Sequence, residues 1–188
     1  MTTEIPPAPT PPLRTERLIL RNFREDDEAA IHAYAVDPEV VRYMDWGPNT
    51  PEETREHLQR ALRAQVERPP HVLNLAVEHA HDGRLIGSIR LEVKDAPNRT
   101  ADIGYSIQRD YWGRGLVTEA SRELLRVAFE EMKLQRVFAT CDARNTRSWR
   151  VMEKLGMRRE GVMRKANLRR DGWHDTLLYA VLAEEWGG

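Results

Sequence analysis

Residues 110–120 read DYWGRGLVTEA. Two glycines flank Arg114, after a strand-like run and before a helix-like one. Glycine adopts positive φ at little cost, so Gly113 and Gly115 could serve the turn alone. They could equally clear a path to an anion, because the unpaired N–H groups at a helix start attract negative charge. A Walker loop needs Gly-Lys-Ser/Thr at its end, and nothing here matches it. A dinucleotide fingerprint would need a third glycine where Thr118 stands, after a strand that is not entered from a hairpin. The simpler arrangement, two glycines leading into an anion-attracting helix start, is the one left to weigh against a plain turn.

Working outward, residues 116–132 carry Val117, Ala120, Leu124, Val127 and Ala128 on one stripe, the pattern of an amphipathic helix. Before the glycines, residues 100–107 read as a strand, preceded by strands at 72–79 and 84–94 joined through His81-Asp82-Gly83. Asp95-Ala96-Pro97-Asn98 is a second turn. After the helix, residues 135–141 (QRVFATC) form an apolar strand, and Asn145 caps a helix ending at Leu155-Gly156. Residues 158–169 and 173–182 pair around Asp171-Gly172.

Toward the N-terminus, residues 15–23 alternate as a first strand, and the acids of 25–28 open a helix through Ala29, Ile31 and Tyr34. Asp37-Pro38 ends that helix, and residues 39–44 form a short second turn. Thr50-Pro51-Glu52-Glu53 is a capping box with proline at the first helical position. The helix it opens runs to about Glu67 and stops before Pro69-Pro70. Hairpins and one β-α-β crossover together predict an α/β domain of mixed α+β character. Its central sheet is mixed, mostly antiparallel and twisted, with helices flanking it. Residues 1–14, rich in proline, read as a flexible solvated tail, and residues 15–188 as one domain.

Composition narrows the partners. With 29 basic against 30 acidic residues, bulk charge announces neither nucleic acid nor membrane. A single cysteine, Cys141, leaves no internal disulfide framework and suits a reducing compartment, so a cytoplasmic protein is expected. No apolar run reaches membrane-spanning length, and no hydrophobic signal segment follows the first residue.

IGYSIQRDYWGRGLVTEA at 103–120, followed by NTRSWRVMEKLGMRREG at 145–161, resembles the GNAT superfamily of acyl-CoA-dependent N-acyltransferases. The nearest likeness is to the branch holding the ribosomal-protein N-terminal acetyltransferases, and it covers residues 17–185. The resemblance implies acetyl-CoA as co-substrate, no metal, and a primary amine as acceptor, either a protein N-terminus or a small molecule. It also implies direct attack in a ternary complex. Dimers are common in that family.

The family signature, Gln/Arg-x-x-Gly-x-Gly/Ala, falls on Trp112, Gly115 and Val117, so two of its three fixed positions depart from the pattern. The resemblance assigns pyrophosphate binding to the backbone of Trp112, Gly113, Arg114, Gly115, Val117 and Thr118. It gives Ile107 backbone contacts to the pantetheine arm. Asn145 and Ser148 match an Asn-x-x-Ser in which the asparagine contacts pantetheine and the serine lies near the sulfur. Asn145 also has a complete explanation as a helix cap.

Amide formation needs a neutral amine, a donor for the developing oxyanion and a proton for the departing thiolate. Many family members use a tyrosine as that acid. None occurs between Tyr111 and Tyr179, so Ser148 is the available hydroxyl in the matching helix. A carboxylate could accept the amine proton. Asp95 aligns with an acidic turn of this branch, and Glu92 stands in reserve. Trp46 in MDWGPN resembles an acceptor-side loop, or is a core anchor.

Two further patterns carry less. His79-x-His81 lacks a third metal ligand, and Cys141 in an apolar strand reads as a structural thiol. Residues 144–170 hold ten basic residues against two acidic ones. That excess supports a rival class: a non-catalytic module for nucleic acid or an acidic protein. Only Trp149 offers a stacking platform there.

Overall fold

The structure, a computed structural model, describes residues 4–67, 71–169 and 171–187. Among the described residues, eight strands form one sheet in the order β1-β2-β3-β4-β5-β6-β8-β7. They are β1 (Leu13–Arg14), β2 (Leu18–Arg21), β3 (Val72–His79), β4 (Leu85–Asp95), β5 (Thr100–Ile107), β6 (Arg136–Asp142), β7 (Arg158–Arg169) and β8 (Gly172–Leu182). Every neighbouring pair is antiparallel except β5 with β6, which the crossover makes parallel. The mixed, mostly antiparallel sheet is therefore as the sequence pattern predicts.

The α-helices that flank it among the described residues are α1 (Glu28–Ala35), α2 (Pro38–Val41), α3 (Pro51–Glu67), α4 (Leu116–Arg126) and α5 (Thr146–Lys154). The capping box forms at α3, with Glu53 N–H donating to Thr50 Oγ1 at 3.2 Å and Thr50 N–H donating to Glu53 Oε2 at 2.8 Å. The Pro69-Pro70 stop lies outside the described residues. One long helix was expected over 116–132, but α4 gives way to a π-helical turn, Val127–Glu131. That turn keeps Val127 and Ala128 fully buried.

The core has two parts. The larger packs Leu124, Leu125 and Met132 against Leu75, Ile89 and Leu91 of the sheet. The smaller packs Ile31 and Tyr34 of α1 and Leu58 of α3 over Phe23, Ala76 and Leu85.

The proline-rich start is not a solvated tail throughout. Leu13 pairs with Leu20 and Arg14 with Ile19, so β1 extends the sheet. Ile5, only 3% exposed, enters the larger core. Prolines cannot donate to a ladder, but an edge strand needs donors on one side only, and Leu13-Arg14 supplies a proline-free pair. Burying Ile5 and Leu13 offsets the cost of ordering the segment.

What positions the site is an interruption of the sheet. Pairing of β5 with β6 consists of Thr100–Arg136, Ala101–Val137 and Asp102–Phe138. β5 then runs on to Ile107 and β6 to Asp142, and the two splay apart into a wedge.

Candidate active site

Tyr105 and Ser148 face each other across the wedge. The Tyr105 hydroxyl lies 3.1 Å from Ser148 Oγ and 3.1 Å from the Ser148 carbonyl oxygen. Alternation along β5 turns Tyr105 to the face covered by α4 and α5, with Ile103 and Ile107. Burial pushes the Tyr105 phenol well above its usual pKa, against the opposing bond from Ser148, so it stays protonated. Ser148 is fixed by its helix. Asn145 caps α5, its Oδ1 accepting from Ser148 N–H at 3.2 Å.

The glycine stretch lies beside this pair. Gly115 is the N-cap of α4, with φ +77°, and Gly113 has φ +74°. Both therefore need glycine for the backbone itself, so the turn reading is satisfied. A Cβ on Gly113 would meet nothing within 4 Å, which also leaves the approach to the backbone open. No side chain caps α4, and its first intrahelical donor is Glu119 N–H to Gly115 O at 3.0 Å. The amides of Leu116, Val117 and Thr118 are thus available to an anion.

One cleft is lined by Ile107, Trp112, Gly113, Gly115, Val117, Thr118, Asn145 and Ser148 together. Arg147, Arg150 and Lys154 of α5 add positive charge to its wall. Val117, expected on the buried stripe of its helix, is instead half-buried at this cleft. Trp112 Nε1–H donates to Ile107 O at 3.0 Å, tying the loop to the end of β5, and the Arg147 guanidinium stacks 4.4 Å from the centre of the Trp112 ring. The Ile107 carbonyl therefore has a partner within the chain. Arg114 turns away: its guanidinium lies over Tyr111, and its carbonyl accepts from Arg17 Nη1.

A second, larger cleft of about 920 Å³ opens on the other side of the wedge, at the upper end of the range for ligand sites. It shares Tyr43, Met44, Tyr105, Ser106, Asn145 and Ser148 with the first. Trp46, His57, Arg60, Arg90 and Arg169 also line it. Burial, with Arg60 beside it, holds His57 below the usual imidazole pKa, and it has no hydrogen-bond partner among the described residues. At the cleft's floor the Ser88 and Ser106 hydroxyls lie 3.0 Å apart. Burial pushes the neighbouring Tyr34 phenol up to about 12. Cys141 also lines this cleft, and burial pushes its thiol up to about 11, the state of an inert rather than a nucleophilic cysteine.

The expected carboxylates are elsewhere. Asp95 sits where β4 turns into β5, paired with Thr100. Tyr105 lies five residue steps along the strand from Thr100, roughly 17 Å at about 3.3 Å per residue. The Asp95 carboxylate accepts from Asn98 N–H at 3.0 Å and Asn98 Nδ2 at 2.7 Å, which is turn chemistry. Those bonds hold its pKa below the usual carboxylate value. Glu92 is held by Arg90 and, at 2.7 Å, by Lys94. Neither carboxylate lines either cleft.

Sequence reasoning missed Tyr105, which lies ahead of the glycine stretch on β5 and reaches Ser148 only through the splay. It also missed His57, whose helix periodicity places it next to buried Leu58 without indicating a cleft. Several of the described cations of 144–169 are already engaged. Arg144 pairs with Asp142 and Asp171, Arg158 with Glu185 and Glu160 with Arg136, while Arg147, Arg150 and Lys154 face the first cleft. Among the described residues no group of three His, Cys, Asp or Glu is placed to hold a metal, and no helix is long and apolar enough to cross a membrane.

Comparison with known proteins agrees with this geometry. Residues 17–158 match the family described as Acetyltransferase (GNAT) domain. The uncharacterized N-acetyltransferase YnaD of Bacillus subtilis is 34% identical over 174 residues, covering 93% of this chain and 98% of that protein. The ribosomal-protein-serine acetyltransferase of Escherichia coli is 29% identical over 103 residues, 55% of this chain and 58% of that protein. The crystal structure of a GNAT-family acetyltransferase from Bacillus anthracis superposes with TM-score 0.83 at 36% identity, covering 92% of this chain and 99% of that one.

Proposed function

Since this chain belongs to the GNAT family of acyl-CoA-dependent N-acetyltransferases, we propose that it transfers an acetyl group from acetyl-CoA to a primary amine by direct attack in a ternary complex. The observation that carries this reading is the meeting of two clefts at Tyr105 and Ser148, one lined by the uncapped start of α4, the other large enough for an acceptor.

In this reading the amides of α4 and the cations Arg147, Arg150 and Lys154 hold the phosphates of the coenzyme. Beyond Asp102 the edge of β5 that faces β6 is unpaired and runs along the pantetheine arm, the Ile107 carbonyl on it being held by Trp112. His57, a neutral base in the acceptor cleft, takes the proton that the amine loses on attack; this assigns to an imidazole the role the sequence gave to Asp95. Ser148 donates toward the departing thiolate and Tyr105 orients that hydroxyl. A free thiol has a pKa of about 8.5, so a hydrogen bond to the thiolate assists departure without complete proton transfer.

Likeness to a ribosomal-protein acetyltransferase favours a protein N-terminus among the amines. The test is coenzyme thiol release with acetyl-CoA and a panel of N-terminal peptides and small amines, under varied concentrations of both substrates. Intersecting double-reciprocal lines are expected from a ternary complex. Parallel lines would show an acyl-enzyme instead.

A further inference from the structure

Arg169 closes β7 on the side that looks into the acceptor cleft. The other arginines lining that cleft have carboxylate partners: Arg90 meets Asp102 at 2.9 Å and also Glu92, and Arg60 lies 3.9 Å from Glu56. Arg169 has no ion pair or hydrogen bond among the described residues. Its Nε has no acceptor among the described residues. Its neighbour on the same strand face, Asn167, is already committed, donating from Nδ2 to Thr176 Oγ1 at 2.6 Å.

A buried guanidinium N–H without an acceptor is costly, and native structures seldom keep one that nothing ever satisfies. Nε–H and the adjacent Nη–H form the planar fork that grips a carboxylate or phosphate through two parallel bonds. We propose that Arg169 is an oxyanion-holding subsite of the acceptor cleft, so that the acceptor is a primary amine which also carries a carboxylate or a phosphate. This rests on the acetyl-transfer reading and narrows its substrate class. The cleft also holds carboxylates, but Glu56 faces Arg60 and Asp142 is held by Arg144, so the Arg169 guanidinium supplies recognition that a neutral amine would not use.

The test compares matched amines with acetyl-CoA: β-alanine and 4-aminobutyrate against their amides, and O-phosphoethanolamine against ethanolamine. The ratio of kcat/KM, anionic over neutral, is measured for the parent, Arg169→Lys and Arg169→Met. At least one ratio is expected to reach about tenfold in the parent, collapse in Arg169→Met and recover partly in Arg169→Lys. The pair that shows it tells carboxylate from phosphate. Equal ratios in the parent and Arg169→Met would overturn the proposal. If no amine in the panel is acetylated, the acetyl-transfer reading fails for these amines and a binding measurement decides the subsite. The Nε–H resonance of Arg169, identified by its loss in Arg169→Met, is followed during titration with acetate and with inorganic phosphate at constant ionic strength. A saturable shift supports the subsite; its absence overturns it.

Discussion

The Tyr105 hydroxyl sits at 3.1 Å from both the hydroxyl and the carbonyl oxygen of Ser148, so one phenolic proton has two acceptors. Donated to the carbonyl, it leaves the Ser148 hydroxyl free to donate back to the phenol. Donated to Oγ, it frees the Ser148 hydrogen for the wedge. The pair therefore acts as one unit. Ser148→Ala and Tyr105→Phe are each expected to slow single-turnover acetylation by roughly 10- to 100-fold, the weak end of general-acid effects. The double variant should be no slower than the worse single, as for groups that work together. Acetyl-CoA affinity should change far less, because the bond strengthens in the transition state. Multiplicative losses in the double variant would separate the two roles.

Asn145 offers a distinction between cap and ligand. Asn145→Ala should cost about 0.5–2 kcal/mol of stability through the lost bond to Ser148 N–H, while Asn145→Asp keeps an acceptor there. If the side-chain amide also donates to the coenzyme, calorimetry should find weaker acetyl-CoA binding in Asn145→Asp despite an unchanged melting temperature. Identical binding in the two forms would restrict Asn145 to its cap.

His57 carries a pH dependence. Its pKa is lowered by burial and by Arg60, so the neutral base prevails down to some value below about 6.5. A further fall in activity should appear as pH drops through that lowered value, and this leg should vanish in His57→Gln, with kcat/KM reduced by about 100-fold. The leg from the free amine's own deprotonation lies at higher pH and should appear in both. An acid leg that survives unchanged in His57→Gln would place the proton acceptor elsewhere.

Much of the fold is legible because it is written in local signals. Thr50 and Glu53 close their box within one turn, Asp82-Gly83 turns its hairpin, and Asn145 caps α5, each decided by residues three or four apart. The splay of β5 from β6 is not local. Nothing in residues 100–107 or 135–141 shows that pairing ends at Asp102 and Phe138, and without the splay Tyr105 cannot be matched to Ser148. Asp95 lies away from both clefts, a separation that motif alignment, which carries no distance along a strand, does not show. The N-terminal segment misled for a similar reason: proline content argues against a strand, whereas Ile5 and Leu13 decide by long-range burial. The glycine loop is readable as a turn, which its positive φ angles bear out, and as an approach to an anion, for which the open cleft beside it leaves room.

Val117 gives the most direct test of the central claim, that the start of α4 holds the phosphates of acetyl-CoA. It is the second residue of the helix, half-buried and lining the cleft, with none of the positive-φ constraint that complicates substitution of Gly113 or Gly115. An acid in a first turn gains about 0.3–1 kcal/mol from the helix dipole, which offsets part of the packing that Val117 loses, and it sets a carboxylate against the bound pyrophosphate. The measurement is calorimetric titration of acetyl-CoA into the parent, Val117→Ala and Val117→Asp, each checked for cooperative melting. Expected are one saturable site in the parent, equal or tighter binding in Val117→Ala, and no saturable binding in a folded Val117→Asp. Parent-like affinity in Val117→Asp would contradict the claim and reduce the glycine stretch to a turn.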